Sequence, residues 1–260
     1  MTLKVYIVNA FTEEKFGGNP AAIVPLKTWL SEKTMQQVAA QNNLSETAYI
    51  IPKGDDYEIR WFTPTVEVDL CGHATLASAH VLFSHLGYKR EKIIFHSKSG
   101  PLGVTRSGDQ YTLDFPSKEP TETQSDELID KALGLRPRRL YKSAFDYMAV
   151  FESQAQVEKL KPDFNILKNH ESRGLIVTAK GEKSDFVSRC FYPQSGIDED
   201  PVTGSAHVVM VPYWAKQTGK NSFTAIQLSA RKGYLDCELA GDRVLISGHA
   251  VTYLEGEFYI

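Results

Sequence analysis

The sequence predicts an α+β protein of two pseudo-repeated lobes, each a curved β-sheet or barrel wrapped around a central buried helix. Three observations carry this. Four glycines recur in nearly fixed register, Gly72, Gly87, Gly100 and Gly108 against Gly204, Gly219, Gly233 and Gly241, at offsets of 132, 132, 133 and 133 residues. A five-residue pattern precedes the first glycine of each half: Arg60-Trp61-Phe62-Thr63-Pro64 and Arg189-Cys190-Phe191-Tyr192-Pro193. Glycines punctuate turns in many folds, but agreement of an Arg-x-Phe-x-Pro pattern at the equivalent place is not punctuation. Finally, Ala74 to Leu86 and Ala206 to Lys216, His207 apart, are apolar nearly all round, and a helix without a polar face belongs inside a core.

Taken in order, β-branched and aromatic enrichment marks strands at Thr2 to Val8, Thr47 to Ile51, Tyr57 to Phe62, Lys92 to His96 and Tyr111 to Phe115. A further helix has Ser31 as N-cap and Leu30 placed to staple onto Met35, and runs to about Gln41. Asn42-Asn43 ends it, which leaves Leu44-Ser45-Glu46 at a helix-to-strand turn whose side chains can reach a cleft. Pro116 to Glu127 is polar, proline-bearing and aperiodic, and reads as the linker between lobes. The expected division is 1–117 and 118–260, with the active site in the cleft between them and the last strand a candidate to pack on the N-terminal lobe.

With 260 residues, 42% apolar and 23% charged, the chain falls in the ordinary globular class. A net charge of -3 argues against a phosphate-backbone binder, so nucleic acid is not an expected partner. No window approaches the roughly 18 apolar residues of a membrane span, and the N-terminus reads as a strand rather than a leader. Cys71, Cys190 and Cys237 are odd in number and widely spaced, which suits a reducing cytoplasm. The histidines show no ligand spacing and no phosphate-binding glycine fingerprint occurs, so neither a catalytic metal nor a cofactor is expected. Gly17-Gly18-Asn19-Pro20 reads as a turn, a candidate to line the cleft.

The two buried helices open at Gly72-His73-Ala74 and Gly204-Ser205-Ala206, just after Asp69 and Asp200-Pro201. A helix N-terminus opened by glycine exposes unpaired N–H groups and partial positive charge. Two such termini facing one cleft could hold a substrate carboxylate and stabilise an enolate-like intermediate, although glycine there can also serve only close helix-sheet packing. Around them the titratable candidates are Glu46, Asp69, His73, Asp198, Glu199 and Asp200, with Ser205 as a hydrogen-bonding neighbour. A carboxyl raised towards neutrality can move a proton between adjacent carbons. Read from the residues alone, a glutamate after a serine is ordinarily a solvated surface or cap residue. His73 could orient that carboxyl, act as a second acid, or merely cap the helix. Arg136, Arg138, Arg139 and Lys142 read as a solvated basic loop.

Several segments resemble the PhzF family of phenazine-biosynthesis-like isomerases. They are Asn9-Ala10-Phe11-Thr12, Phe16-Gly17-Gly18-Asn19-Pro20-Ala21, Asn43-Leu44-Ser45-Glu46-Thr47-Ala48, Arg60-Trp61-Phe62-Thr63-Pro64, Asp69-Leu70-Cys71-Gly72-His73-Ala74-Thr75 and Glu199-Asp200-Pro201-Val202-Thr203-Gly204-Ser205-Ala206-His207. The resemblance implies a diaminopimelate-epimerase-like fold, usually as a homodimer, with Glu46 transferring the proton. It places His73, Asp200 and Ser205 around a small carboxylate substrate, without metal or cofactor. In the better-understood phenazine enzymes that substrate is a dihydro-hydroxyanthranilate.

Fold relatives that racemise amino acids use two opposed cysteines, each before one of the paired glycines. Here Cys71 precedes Gly72 but Thr203 precedes Gly204, so the second thiol is missing. A cysteine-dependent racemase or epimerase and a noncatalytic metabolite-binding protein are the competing readings.

Overall fold

A computed structural model describes residues 1–260. The chain forms two compact units, Met1–Asp114 with Ile246–Ile260, and Phe115–Leu245. No helix is long and apolar enough to cross a membrane.

The first unit is built from β1 (Thr2–Ala10), β2 (Asn19–Pro25), α1 (Glu32–Asn42), β3 (Glu46–Lys53), β4 (Asp56–Phe62), β5 (Glu67–Val68), α2 (Gly72–Ser84), β6 (Lys92–Ser97), β7 (Gly100–Ser107) and β8 (Gln110–Pro116). Helix α1 starts and stops as its sequence predicts. Ser31 accepts a hydrogen bond from the Thr34 N–H, and Asn43 closes the helix at φ 49°. Every residue of α2 is buried except His80 and Ser84. Its polar residues survive inside because Thr75 and Ser78 donate back to the carbonyls of Cys71 and Ala74. Strand β2 runs parallel to β3, β3 antiparallel to β4, and β4 parallel to β6.

The second unit repeats this plan with β9 (Thr121–Thr123), α3 (Glu127–Leu133), β10 (Arg139–Lys142), β11 (Asp146–Val150), α4 (Gln154–Lys159), α5 (Phe164–Leu167), β12 (Gly174–Lys180), β13 (Phe186–Tyr192), β14 (Ile197–Asp200), α6 (Gly204–Thr218), β15 (Ser222–Gln227), β16 (Gly233–Ala240) and β17 (Arg243–Gly248). Here β11 and β12 are parallel, β12 and β13 antiparallel, and β13 and β15 parallel. Pro212 lies inside α6 and cannot donate to the Val208 carbonyl, which instead accepts the Lys118 N–H at 3.0 Å. Strand β18 (Ala250–Tyr259) then pairs antiparallel with β1, bulged between Ile7 and Val8.

Three local expectations are corrected. Asn19 and Pro20 are not in a turn: they open β2, paired with Ala10 and Asn9, and the turn ends at Gly18. The aperiodic stretch after Pro116 contains strand β9, whose side chains are all exposed. Main-chain pairing with β10 holds it, so it leaves no hydrophobic period to read. Arg139 and Lys142 likewise belong to β10 rather than to a loop.

The duplication also appears in contacts that glycine spacing could not announce. Arg60 grips Glu67 with two hydrogen bonds of 2.7 Å, and Arg189 grips Glu199 with two of 2.8 Å. Ser99 donates to the Asp69 carbonyl at 2.8 Å, and Ser229 donates to the Pro201 carbonyl at 2.7 Å. Each unit thus clamps the segment that leads into its central helix.

Candidate active site

Glu46 is the first residue of β3, in register with Ala21 of β2. It follows directly on the left-handed turn that ends α1. His73 is the second residue of α2 and is buried. Packing of α2 against β1, β2 and β3 brings the two together: His73 Nε2 lies 3.0 Å from Glu46 Oε2, with 5% and 12% of the side chains exposed. The contact lies off the line of a hydrogen bond, an alignment that catalytic pairs commonly improve only when substrate binds.

On the other flank of the ring, His73 Nδ1 faces Asn19 Nδ2 at 3.1 Å and Cys71 Sγ at 3.5 Å. Gly18 sets up the Asn19 contact. At φ +62° it passes so close to β1 that a Cβ would stand 2.2 Å from the Ala10 carbonyl oxygen, which no other residue tolerates. The Asn19 amide nitrogen can donate only to an unprotonated Nδ1, which leaves the ring proton on Nε2, towards Glu46. Turning that amide over presents Oδ1 and suits the imidazolium instead.

Burial works against a charged His73, but negative charge at Cys71 and at Glu46 outweighs it and raises the imidazole well above its ordinary value. Cys71 is itself pushed up to about 11, first by burial and then by the Glu46 carboxylate, so it is a thiol at neutral pH. The charge that holds the His73 proton at neutral pH is therefore that of Glu46. Glu46, Cys71 and His73 each bring one ligating atom to the cluster, all within 4.8 Å of one another.

Gly72 and Ala74 flank His73 at the start of α2, whose N-cap, Cys71, makes no side-chain cap. In the second unit, Gly204, Ser205 and Ala206 open α6 in the same way after an N-cap, Thr203, that makes none either. The Thr203 hydroxyl donates instead to Asp200 Oδ2 at 2.5 Å. Gln227, fully buried, accepts the Thr203 N–H at 2.8 Å and donates to the Asp200 carbonyl at 2.8 Å. Nothing in the sequence singled out Gln227. The Ala206 N–H turns back onto the Thr203 carbonyl at 3.2 Å, so of the three expected donors there it is already engaged. His207 Nδ1 donates to the same carbonyl at 2.9 Å, and burial holds this histidine neutral, lowered to about 4.

Of the other acidic candidates, Glu199 is engaged by Arg189, while Asp69 and Asp198 are exposed. The strand registers also identify counterparts between the units. Glu46 pairs with Ala21 as Gly174 pairs with Asp146, and Thr47 faces Phe62 as Leu175 faces Phe191. Gly174 therefore occupies the place of Glu46, and a Cβ there would stand 2.1 Å from the Tyr192 ring. By the helix starts, Thr203 answers to Cys71 and Ser205 to His73. Glutamate, cysteine and histidine come together in the first unit, where the second has glycine, threonine and serine.

The family model for phenazine biosynthesis-like proteins matches residues 8–256. An uncharacterized isomerase of Pseudomonas aeruginosa is 48% identical over 256 residues, covering 98% of each chain. A second from the same bacterium is 45% identical over 260 residues and covers both chains entirely. The crystal structure of a PhzF-family phenazine biosynthesis protein from Enterococcus faecalis matches with a TM-score of 0.97 at 46% identity, over the full length of both chains. The α+β, diaminopimelate-epimerase-like fold class expected from the sequence is borne out by this match. A family match from end to end, on a fold with a glutamate–histidine pair at the head of its first central helix, makes this chain a member of the phenazine biosynthesis-like (PhzF) family.

Proposed function

We propose that the protein is a cofactor-independent isomerase that moves a proton between carbons of a small carboxylate-bearing substrate, with Glu46 as the single general acid and base. The observation that carries this reading is the 3.0 Å approach of His73 Nε2 to Glu46 Oε2, set beside a glycine at the corresponding place in the second unit. One base without an opposed partner returns the proton to the face from which it took it, which suits a shift along the substrate better than a two-base inversion. Asn19 orients the His73 ring, and His73 carries the compensating positive charge while Glu46 is ionised. Backbone N–H groups at the uncapped helix starts are suited to a carboxylate and to charge developing on an enolate.

Family likeness supports assigning Asp200, Gly204, Ser205 and Ala206 to substrate contacts, and a homodimeric, cytoplasmic enzyme. The isomerase names of the Pseudomonas relatives favour the same reaction class. A cysteine-dependent racemase is less well supported, because Cys71 is held as a thiol up to about 11 and its counterpart is Thr203.

A metabolite screen in D₂O tests the proposal. A small carboxylate that gains deuterium with the wild type and not with Glu46→Gln is the expected result. Tight binding of such ligands without any exchange would instead favour a noncatalytic binding protein, and exchange retained in Glu46→Gln but lost in Cys71→Ala would favour the racemase.

A further inference from the structure

Thr203 stands in the second unit where Cys71 stands in the first, and its hydroxyl is enclosed by side chains that leave one arrangement of protons. The Gln227 amide fixes that arrangement. The Thr203 N–H can only donate and the Asp200 carbonyl can only accept, so Gln227 Oε1 takes the first at 2.8 Å and Nε2 serves the second at 2.8 Å. Turned over, the amide would set donor against donor and acceptor against acceptor. Nε2 also donates to Thr203 Oγ1 at 3.2 Å, which makes that oxygen an acceptor. The single hydroxyl proton is left for Asp200 Oδ2, 2.5 Å away, a separation in the range of a hydroxyl donating to a carboxylate. Asp200, Thr203 and Gln227 are all buried, and the Ser229 hydroxyl pins the intervening Pro201 carbonyl at 2.7 Å.

We propose that Thr203 and Gln227 are positioning residues, which hold the Asp200 side chain in one orientation and as a carboxylate for its contact with substrate. That use rests on the reading of Asp200 as a substrate contact, whereas the relay itself is measured without any ligand. Thr203 Oγ1 accepts from Gln227 and donates to Asp200, so it is committed on both sides and does not serve as a base. The place of a second thiol is taken by a hydrogen-bond relay. Cys190, paired with Asp200 across β13 and β14, and Tyr192 both feel the Asp200 charge. Burial is the first cause that pushes each well above its ordinary value, so neither changes charge while Asp200 titrates in acid.

The experiment follows the Asp200 carboxyl carbon by ¹³C NMR through an acid titration of the full-length protein, with the signal assigned by its loss in Asp200→Asn. Thr203→Val removes the donor and should raise the midpoint by about 1–2 in pH, since a hydrogen bond to a charged group is worth roughly tenfold to a hundredfold. Thr203→Ser keeps the hydroxyl and should stay at the wild-type midpoint, which a loss of packing alone would not allow. Gln227→Met should raise the midpoint in the wild-type background and leave it unmoved in Thr203→Val, because its influence passes through the hydroxyl. An unmoved midpoint in Thr203→Val, or one equally raised in Thr203→Ser, overturns the proposal. Should Gln227→Met fail to fold, the Thr203 variants decide. Deuterium exchange of a screened carboxylate retained in Asp200→Asn would overturn the substrate contact and leave these midpoints as they are, so the two failures are told apart.

Discussion

His73 and Glu46, from the head of α2 and the first residue of β3, meet at 3.0 Å, and neither side chain is more than 12% exposed. Burial disfavours charge on the imidazole, yet negative charge at Cys71 and Glu46 raises it well above its ordinary value.

Replacing Glu46 by Gln keeps the shape and removes the titrating group. Solvent-deuterium incorporation into a substrate found with the wild type should fall by about 10²–10⁴-fold, the usual share of a positioned acid or base, while ligand affinity changes little. Mass spectrometry of the recovered substrate reads the result, and wild-type exchange rates in the variant would remove Glu46 from the mechanism.

The raised His73 has a sign that stability can test. A histidine whose folded value lies above its unfolded value of about 6.5 stabilises fully below that pH, and the contribution is lost as pH rises through the folded value. Urea midpoints of the wild type and His73→Gln should therefore differ most on the acid side and converge as the medium becomes alkaline. In Glu46→Gln the wild-type pattern should vanish, because the charge that holds the proton is gone.

His80 and His207 have the opposite sign. Burial lowers each to about 4, so each stays neutral in the fold and takes up a proton when the chain unfolds in mild acid. Stability is intact above about pH 6.5 and falls as pH drops towards 4, by up to about 3 kcal/mol for each group. Replacing His207 by Gln should flatten part of that acid limb in a series of denaturant titrations, and an unchanged limb would mean that His207 does not titrate as assigned.

Gln227 is the least conspicuous residue with a large expected effect. Gln227→Leu removes the acceptor of the buried Thr203 N–H and a donor to the Asp200 carbonyl, at a cost of about 1–3 kcal/mol for the orphaned N–H. A shift of that size in the unfolding midpoint is expected, and a variant as stable as the wild type would show that another group serves them.

The features legible in the sequence are those written in local chemistry. Ser31 and Asn43 delimit α1 because capping depends on neighbours a few residues away. The two central helices are legible because burial on every side leaves no polar face. Strand β9 is not, since Thr121–Thr123 are held through their main chain and carry no apolar pattern. The Arg60–Glu67 and Arg189–Glu199 pairs escape notice because the unequal loops put the partners at different spacings, although they are equivalent in the fold. Glu46 is named in the sequence only through the family resemblance, and its physical ground appears when α2 delivers His73 beside it. No local pattern around a glutamate encodes what a helix begun 26 residues later will place there.

The first unit takes its last strand from beyond the second unit, and this orders events during synthesis. Strand β1 is made before its partner β18, with all of Phe115–Leu245 translated between them. The inserted unit is complete while the unit that surrounds it in sequence still lacks a strand. Vectorial synthesis, which usually favours folding from the N-terminus, here lets the later half mature first. The glutamate–histidine contact, held by the unit that must wait, is assembled on a sheet that closes only after the second unit has been translated.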